Sequence, residues 1–220
     1  MRNIILILIE TLICYLSMIL LYKKYKTDGL YVYGIVSSFI SCILVLKQID
    51  VMSIGIPTGL ATTTSIIIAG NIITQKKGPE EVKPYLLLIF ITIFFSSLFL
   101  NISGLIKTSE YNGIANNSYN NIFKYNLKPY LALGISILLS TYLNSKLYYL
   151  IKRAQNKIYL SNIFSLIIIE VIDNLIFVLI AYLFNYKLIN LILCIIFRYL
   201  IKLIIGIIGT IPIYIANKIN

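Results

Sequence analysis

The chain is 220 residues long, 59% hydrophobic and only 12% charged, with a mean hydropathy of +0.90. Soluble domains carry about 25% charged residues, and a soluble fold of this length would have too few charges to cover so much apolar surface. The net charge of +11, from 19 Lys+Arg against 8 Asp+Glu, does not mark a nucleic-acid partner. Most basic residues sit in short connections between apolar blocks, where they orient a membrane chain and meet anionic lipid.

The apolar blocks are each long enough to cross the hydrocarbon layer as a helix. Seven spans are expected, at about 3–22, 29–49, 52–75, 84–106, 128–151, 159–184 and 187–216, making one integral membrane domain over 1–220. The fold class is an all-α polytopic transmembrane helical bundle. The first block follows Arg2 but is too long for a signal core, lacks a small-x-small site and ends in Tyr22-Lys23-Lys24-Tyr25-Lys26, so it reads as a span. The second and third blocks are joined through Lys47-Gln48-Ile49-Asp50, and Gly55, Pro57 and Gly59 then interrupt the third. Such an interruption leaves open whether that span is continuous or broken, and a broken helix would point at a binding site. Pro84 and Pro129 each open a block, as suits proline in a first helical turn. Between them, 107–128 carries Asn112, Asn116, Asn117, Asn120, Asn121 and Asn126 without a period and reads as a loop with a short interfacial segment.

Counting basic residues on alternate sides gives the orientation. One side collects Lys23, Lys24, Lys26, Lys76, Lys77, Lys83, Lys146, Lys152, Arg153, Lys157 and Lys218. The other has Arg2, Lys47, Lys107, Lys124, Lys128 and Lys187, mainly in one long loop. The first side is expected to be cytoplasmic, with the N-terminus outside and the C-terminus inside a cell membrane.

His is absent, and Cys14, Cys42 and Cys194 fall inside apolar blocks with no pair at metal or redox spacing. No His-dependent nucleophile, proton shuttle or His metal site is available. No Gly-rich phosphate loop and no paired-Asp set appears either. The expectation is a transporter or binding protein rather than an enzyme, with no cofactor and no metal.

Ionisable residues inside spans each cost several kcal/mol unless paired or hydrated. They are Glu10, Glu170, Asp173, Arg198 and Lys202, with Lys47 at a span's end. Glu170 and Asp173 share one helix face, as do Arg198 and Lys202. Together they make either a structural ion-pair network or a polar pocket, while Glu10 reads as a helix contact. The pocket reading includes a proton path through the same groups. Thr58, Thr62, Thr63, Thr64, Ser65 and Asn71 on the third span line a cavity or serve as helix–helix glue.

From about residue 36 onward the chain resembles the vitamin-uptake-transporter-like membrane proteins known as queuosine precursor transporters. The matching blocks are Ser41-Cys42-Ile43-Leu44-Val45-Leu46-Lys47, then Gly55, Gly59 and Asn71-Ile72-Ile73-Thr74-Gln75-Lys76-Lys77-Gly78. They continue with Pro129-Tyr130, Ser140-Thr141-Tyr142-Leu143-Asn144, Glu170-Val171-Ile172-Asp173-Asn174-Leu175-Ile176-Phe177, Lys202, Pro212 and Tyr214. Cys42, Asn71, Tyr130, Thr141 and Asn144 stand where the family carries Asn, Asp, Arg, Gln and Asp, which removes polar groups from a family pocket.

The resemblance implies six family spans plus one extra N-terminal span, and uptake of queuine or preQ0- and preQ1-like 7-deazaguanine bases, or of a related small heterocycle. On that reading Asp173 and Glu170 accept the adjacent N–H donors of the ring edge. Asn71 and Gln75 read its other polar atoms, a tyrosine stacks on its face, and Lys47 and Lys202 balance the acids or bind a carbonyl. Asn144 and Tyr130 stand at further matched positions. A substrate-binding subunit needing a separate energising partner, and a degenerate member without transport, remain as alternatives. Oligomeric state and coupling ion stay open.

Overall fold

The computed structural model describes residues 2–52, 54–107, 113–123, 127–183 and 186–219. The first helix, α1 (Arg2–Leu44), is 43 residues long. A straight helix of that length would measure about 65 Å, twice the hydrocarbon thickness. It breaks at Lys26, which takes φ 54° and ψ −135°, a region that costs an L-residue strain. The chain doubles back so tightly there that a Cβ on Gly29 would lie 2.3 Å from the Leu21 carbonyl oxygen. The two limbs of α1 thus occupy the first two apolar blocks.

An antiparallel hairpin follows, β1 (Gln48–Val51) paired with β2 (Ile54–Pro57) in the register Gln48 to Pro57 and Val51 to Ile54. This hairpin stands where the sequence reading ended one span and began the next, so the bundle is helical with one small β element. Gly59 at φ 81° ends the hairpin and opens α2 (Leu60–Lys77). The interruption by Gly55, Pro57 and Gly59 therefore shortens the third block's helix from its start rather than breaking it midway.

Every residue of α2 from Leu60 to Thr74 is buried. Its hydroxyls make that possible by bonding back along their own helix: Thr62 to Gly59 O (2.9 Å), Ser65 to Thr62 O (2.7 Å) and Thr74 to Gly70 O (2.8 Å). Around it pack α3 (Val82–Leu105), entered through a 3-10 turn at Pro79–Glu81, and α5 (Leu127–Gln155), α6 (Ile158–Tyr182), α7 (Leu188–Ile208) and α8 (Thr210–Lys218).

The stretch read as a loop contains α4 (Gly113–Phe123). Tyr119 and Phe123, one turn apart, have ring centroids 4.5 Å apart, and the Tyr119 hydroxyl bonds Ser103 Oγ at 3.0 Å, docking α4 on α3. Asn112, Lys124 and Asn126 lie outside the described residues.

Among the described residues, four segments are long and apolar enough to cross a membrane: Arg2–Leu44, Pro79–Leu105, Ile158–Tyr182 and Leu188–Lys218. α2 and α5 fall short of that apolarity because they carry Ser, Thr and Asn residues buried inside the bundle, Thr62 and Ser65 against α1 and Asn71 against Asn144. The outer surface is apolar instead, with Leu87, Phe90, Phe95 and Phe99 exposed on α3 and Leu12, Ile13 and Leu16 on α1. Such a surface suits lipid.

The polar ends of the bundle are separate. At one, Asn3 Nδ2 donates to Asp50 O (3.1 Å) and the Tyr186 hydroxyl to Gln48 Oε1 (2.8 Å). At the other, Gln75 Nε2 donates to Asn217 Oδ1 (2.6 Å), the Tyr148 hydroxyl to Gln75 Oε1 (2.6 Å), and Lys76 Nζ to Ile219 O (3.2 Å).

Candidate functional site

Glu170 lies halfway along α6, about 18 Å from either end at 1.5 Å per residue. It and Asp173 face α7, where Lys202 sits fully buried. Lys202 Nζ donates to Asp173 Oδ2 at 2.5 Å and stands 2.8 Å from Glu170 Oε2. Arg198, one turn before Lys202, places Nη2 4.0 Å from Asp173 Oδ2. Its Nε donates to Asn174 Oδ1 (3.0 Å), and its guanidinium lies 3.9 Å from the Phe177 ring centroid. Asn174 in turn donates to Glu170 O at 2.6 Å. Two acids and two bases thus form one buried cluster, each charge having an opposite neighbour, which is what a low-dielectric interior requires.

The cluster is not saturated. Glu170 Oε1 and Asp173 Oδ1 are buried with no hydrogen-bond partner. The Ser140 hydroxyl of α5, itself without a hydrogen-bond partner, lies beside Asp173 as a donor within reach of it. Nearby on the inner faces of α2 and α5, Thr64 Oγ1, Thr141 Oγ1 and Asn144 Oδ1 also lack partners. Thr141 packs where α5 passes closest to α2, since a Cβ on Gly70 would meet its Cγ2 at 2.9 Å.

Asn71 belongs to a second network. Asn144 Nδ2 donates to Asn71 Oδ1 (2.8 Å), Asn71 Nδ2 to Asn162 Oδ1 (3.0 Å), and Asn162 Nδ2 to Thr210 Oγ1 (2.9 Å) and Gly206 O (3.0 Å). This amide chain ties α5, α2, α6 and α8 together. Gln75 lies one turn further along α2, in the end network with Tyr148 and Asn217. Tyr130 is buried on α5 with its hydroxyl unpartnered, at the base of an apolar groove between α3 and α5. Lys47 is exposed beside the hairpin, its carbonyl accepting from Thr58 N at 2.8 Å.

The structure therefore brings Glu170, Asp173 and Lys202 together and joins Asn71 to Asn144. Gln75 stands at one end, Lys47 at the other, and Tyr130 against the lipid-facing groove. Asn162, Asn174 and Arg198 complete these networks. An amide inside an apolar block, as at Asn162, is the sequence signal that marks such a residue. Among the described residues, no group of three or more Cys, Asp and Glu side chains is placed to hold a metal.

A family model described as "Putative vitamin uptake transporter" matches residues 57–216. The chain belongs to this family. The match runs from the end of the hairpin through α8 and so contains every member of the charged cluster and of the amide chain. No curated protein and no solved structure matches the chain. Family membership makes this a multi-pass membrane protein of the vitamin-uptake type, and a small molecule is the cargo that such a protein carries.

Proposed function

We propose that the protein imports a small, flat heterocycle with adjacent N–H donors, of the 7-deazaguanine class of queuosine precursors, and that the charged cluster is its recognition site. The observation that carries this reading is the pair of buried, unpartnered carboxylate oxygens, Glu170 Oε1 and Asp173 Oδ1, one helical turn apart. Two carboxylates so placed accept two neighbouring N–H groups with charge-assisted strength. Lys202 and Arg198 stand beside the two acids as their counter-charges. Thr141 and Asn144 offer further unpartnered atoms for the ring's polar edge.

On this reading the two limbs of α1, then α2, α3, α5, α6 and the α7–α8 pair are seven spans. The N-terminus is outside and the end bearing Gln75, Lys76 and Lys152 is cytoplasmic. The burial of all four charged side chains, from 0% to 4% exposed, fits an occluded state in which neither end is open.

The test is uptake of radiolabelled queuine and its deazaguanine precursors by a transporter-null strain expressing the protein. Saturable uptake that Asp173→Asn abolishes, at unchanged membrane levels, is the expected result. No uptake of any of these bases above the empty-vector control would refute the substrate assignment.

A further inference from the structure

At the end of the bundle that carries Gln75, a cavity of about 280 Å³ opens between α2 and α5, lined by Thr74, Gln75, Tyr148, Tyr149, Lys152, Arg153 and Asn156. No carboxylate lines it. Part of its wall is already committed: the Thr74 hydroxyl to Gly70 O, the Tyr148 hydroxyl to Gln75, and the Gln75 amide to Asn217. Among the described residues, Lys152, Arg153, Tyr149 and Asn156 line the space without such a bond.

Lys152 is the informative member. It is half-buried, and the charge it feels most from the protein is Lys76, a second cation near the same end of the bundle, whose ammonium donates to Ile219 O. Burial and that neighbour pull its pKa down. The ion pairs among the described residues are those of the inner cluster and Lys83 with Glu80, so neither Lys152 nor Arg153 has an acidic partner there. A helix C-terminus favours nearby cations, which accounts for the exposed Arg153. It does not account for a lysine half-buried in the wall of a cavity with no acidic partner among the described residues. An anion entering the cavity would supply that charge, and arginine's fork matches a phosphate in two-point geometry. A heterocycle read through its own N–H donors would find the wrong partners here.

We infer that this cavity is a binding site for a phosphate group, held by Lys152 and Arg153 with Tyr149 and Asn156 at its edge. The phosphate comes either from the headgroup of an anionic lipid or from a free phosphate in solution. The site is separate from the charged cluster, and the inference does not depend on the cargo proposed above. Basic pockets between spans at this level of a membrane protein suit lipid headgroups.

The experiment uses the full chain purified in detergent. Phosphatidylglycerol and, in parallel, phosphatidylcholine are titrated and bound lipid is counted by native mass spectrometry. Inorganic phosphate is titrated separately by thermal shift. Lys152→Gln combined with Arg153→Gln is expected to weaken binding of the phosphate probe about tenfold or more, on the basis of two lost cation contacts. Lys23→Gln combined with Lys24→Gln, which removes the same charge elsewhere, is expected to leave it within about twofold. Lys152→Arg, which keeps the charge, is expected to retain binding and guards against a folding defect.

Loss confined to phosphatidylglycerol identifies a lipid site, and loss confined to inorganic phosphate identifies a soluble ligand; either supports the inference. Equal binding by wild type and the Lys152/Arg153 variant in both titrations overturns it. Equal loss in the Lys23/Lys24 variant overturns it too, since binding would then follow net charge alone.

Discussion

Lys202 of α7 holds Asp173 of α6 at 2.5 Å, with both side chains removed from water. The same ammonium is 2.8 Å from Glu170, so one cation bridges both acids while Arg198 flanks Asp173. Removing the cation alone strands Glu170 in the bundle and leaves Asp173 only Arg198, at 4.0 Å. Removing an acid alone leaves Lys202 with its other partner. The two kinds of variant should therefore differ sharply in stability.

Lys202→Met is expected to destabilise the protein by about 3–5 kcal/mol, the usual cost of stranding a buried charge. Asp173→Asn is expected to cost less, because Lys202 keeps Glu170. Thermal unfolding in detergent separates the two. For transport, Asp173→Asn should lose uptake while reaching the membrane, and adding Lys202→Met should not restore it. Restored uptake in the double variant would make the pair purely structural.

Asn71 is the centre of the amide chain, accepting from Asn144 and donating to Asn162. Asn71→Leu removes both bonds and leaves two buried amides short of a partner. A loss of about 1–2 kcal/mol is expected, allowing for the modest value of such bonds between membrane helices. Asn144→Leu should cost less, since it breaks one bond of the chain. Equal unfolding temperatures for wild type and Asn71→Leu would show that the helices hold without this chain.

Gly34 sets how closely the second limb of α1 approaches α3. A Cβ there would fall 2.2 Å from Tyr85 Cε2, and the Tyr85 hydroxyl is fixed to Ile66 O at 3.1 Å on α2. Gly34→Ala is expected to cost about 1–3 kcal/mol, as overpacking does. Gly113→Ala, with nothing within 4 Å of the added atom, serves as the neutral comparison in the same unfolding assay.

Glu10 is partly buried with Oε1 unpartnered, and it stands on α1 rather than on α6 or α7. Glu10→Gln is expected to leave uptake unchanged at equal protein level. A loss of uptake in that variant would bring α1 into the transport site.

Orientation is testable through the two polar ends. Cysteines introduced at Lys77 and Lys157 are expected to resist an impermeant thiol reagent in intact cells, whereas one at Met52, 79% exposed at the hairpin tip, is expected to react. The native Cys14, Cys42 and Cys194 are buried and should contribute little background. The reverse labelling pattern would invert the assigned topology.

Much of this molecule could be read from local sequence, because membrane helices announce themselves by length and apolarity alone. The apolar blocks at α3, α6 and α7–α8 stand close to where they were read, and the acids and bases three and four residues apart lie on shared faces because the helical period requires it. The hairpin at 48–57 was less legible. Its strands are only four residues each, too short for a period of two to stand out beside the helical blocks around them. The inward place of α2 was legible, since its Thr and Ser residues read as cavity lining or helix–helix glue, but its burial at every residue from Leu60 to Thr74 was not. Thr, Ser, Gly and Ala favour the inside of a membrane bundle, where close packing matters and hydroxyls bond their own backbone, yet they lower the hydropathy by which a span is recognised.

What only the tertiary structure decided is which polar residues meet. Lys47 at a span's end and Lys202 within a span both read as lysines that balance the acids or bind a carbonyl. One is exposed beside the hairpin, and the other closes on two carboxylates. Asn71 and Asn144 lie 73 residues apart and share a hydrogen bond. Each side chain's face is fixed by its own helix, but the rotation and depth at which one helix docks on another are set by the packing of the whole bundle. A local pattern therefore determines that a charge is buried and needs a partner, and the fold alone determines which partner it finds.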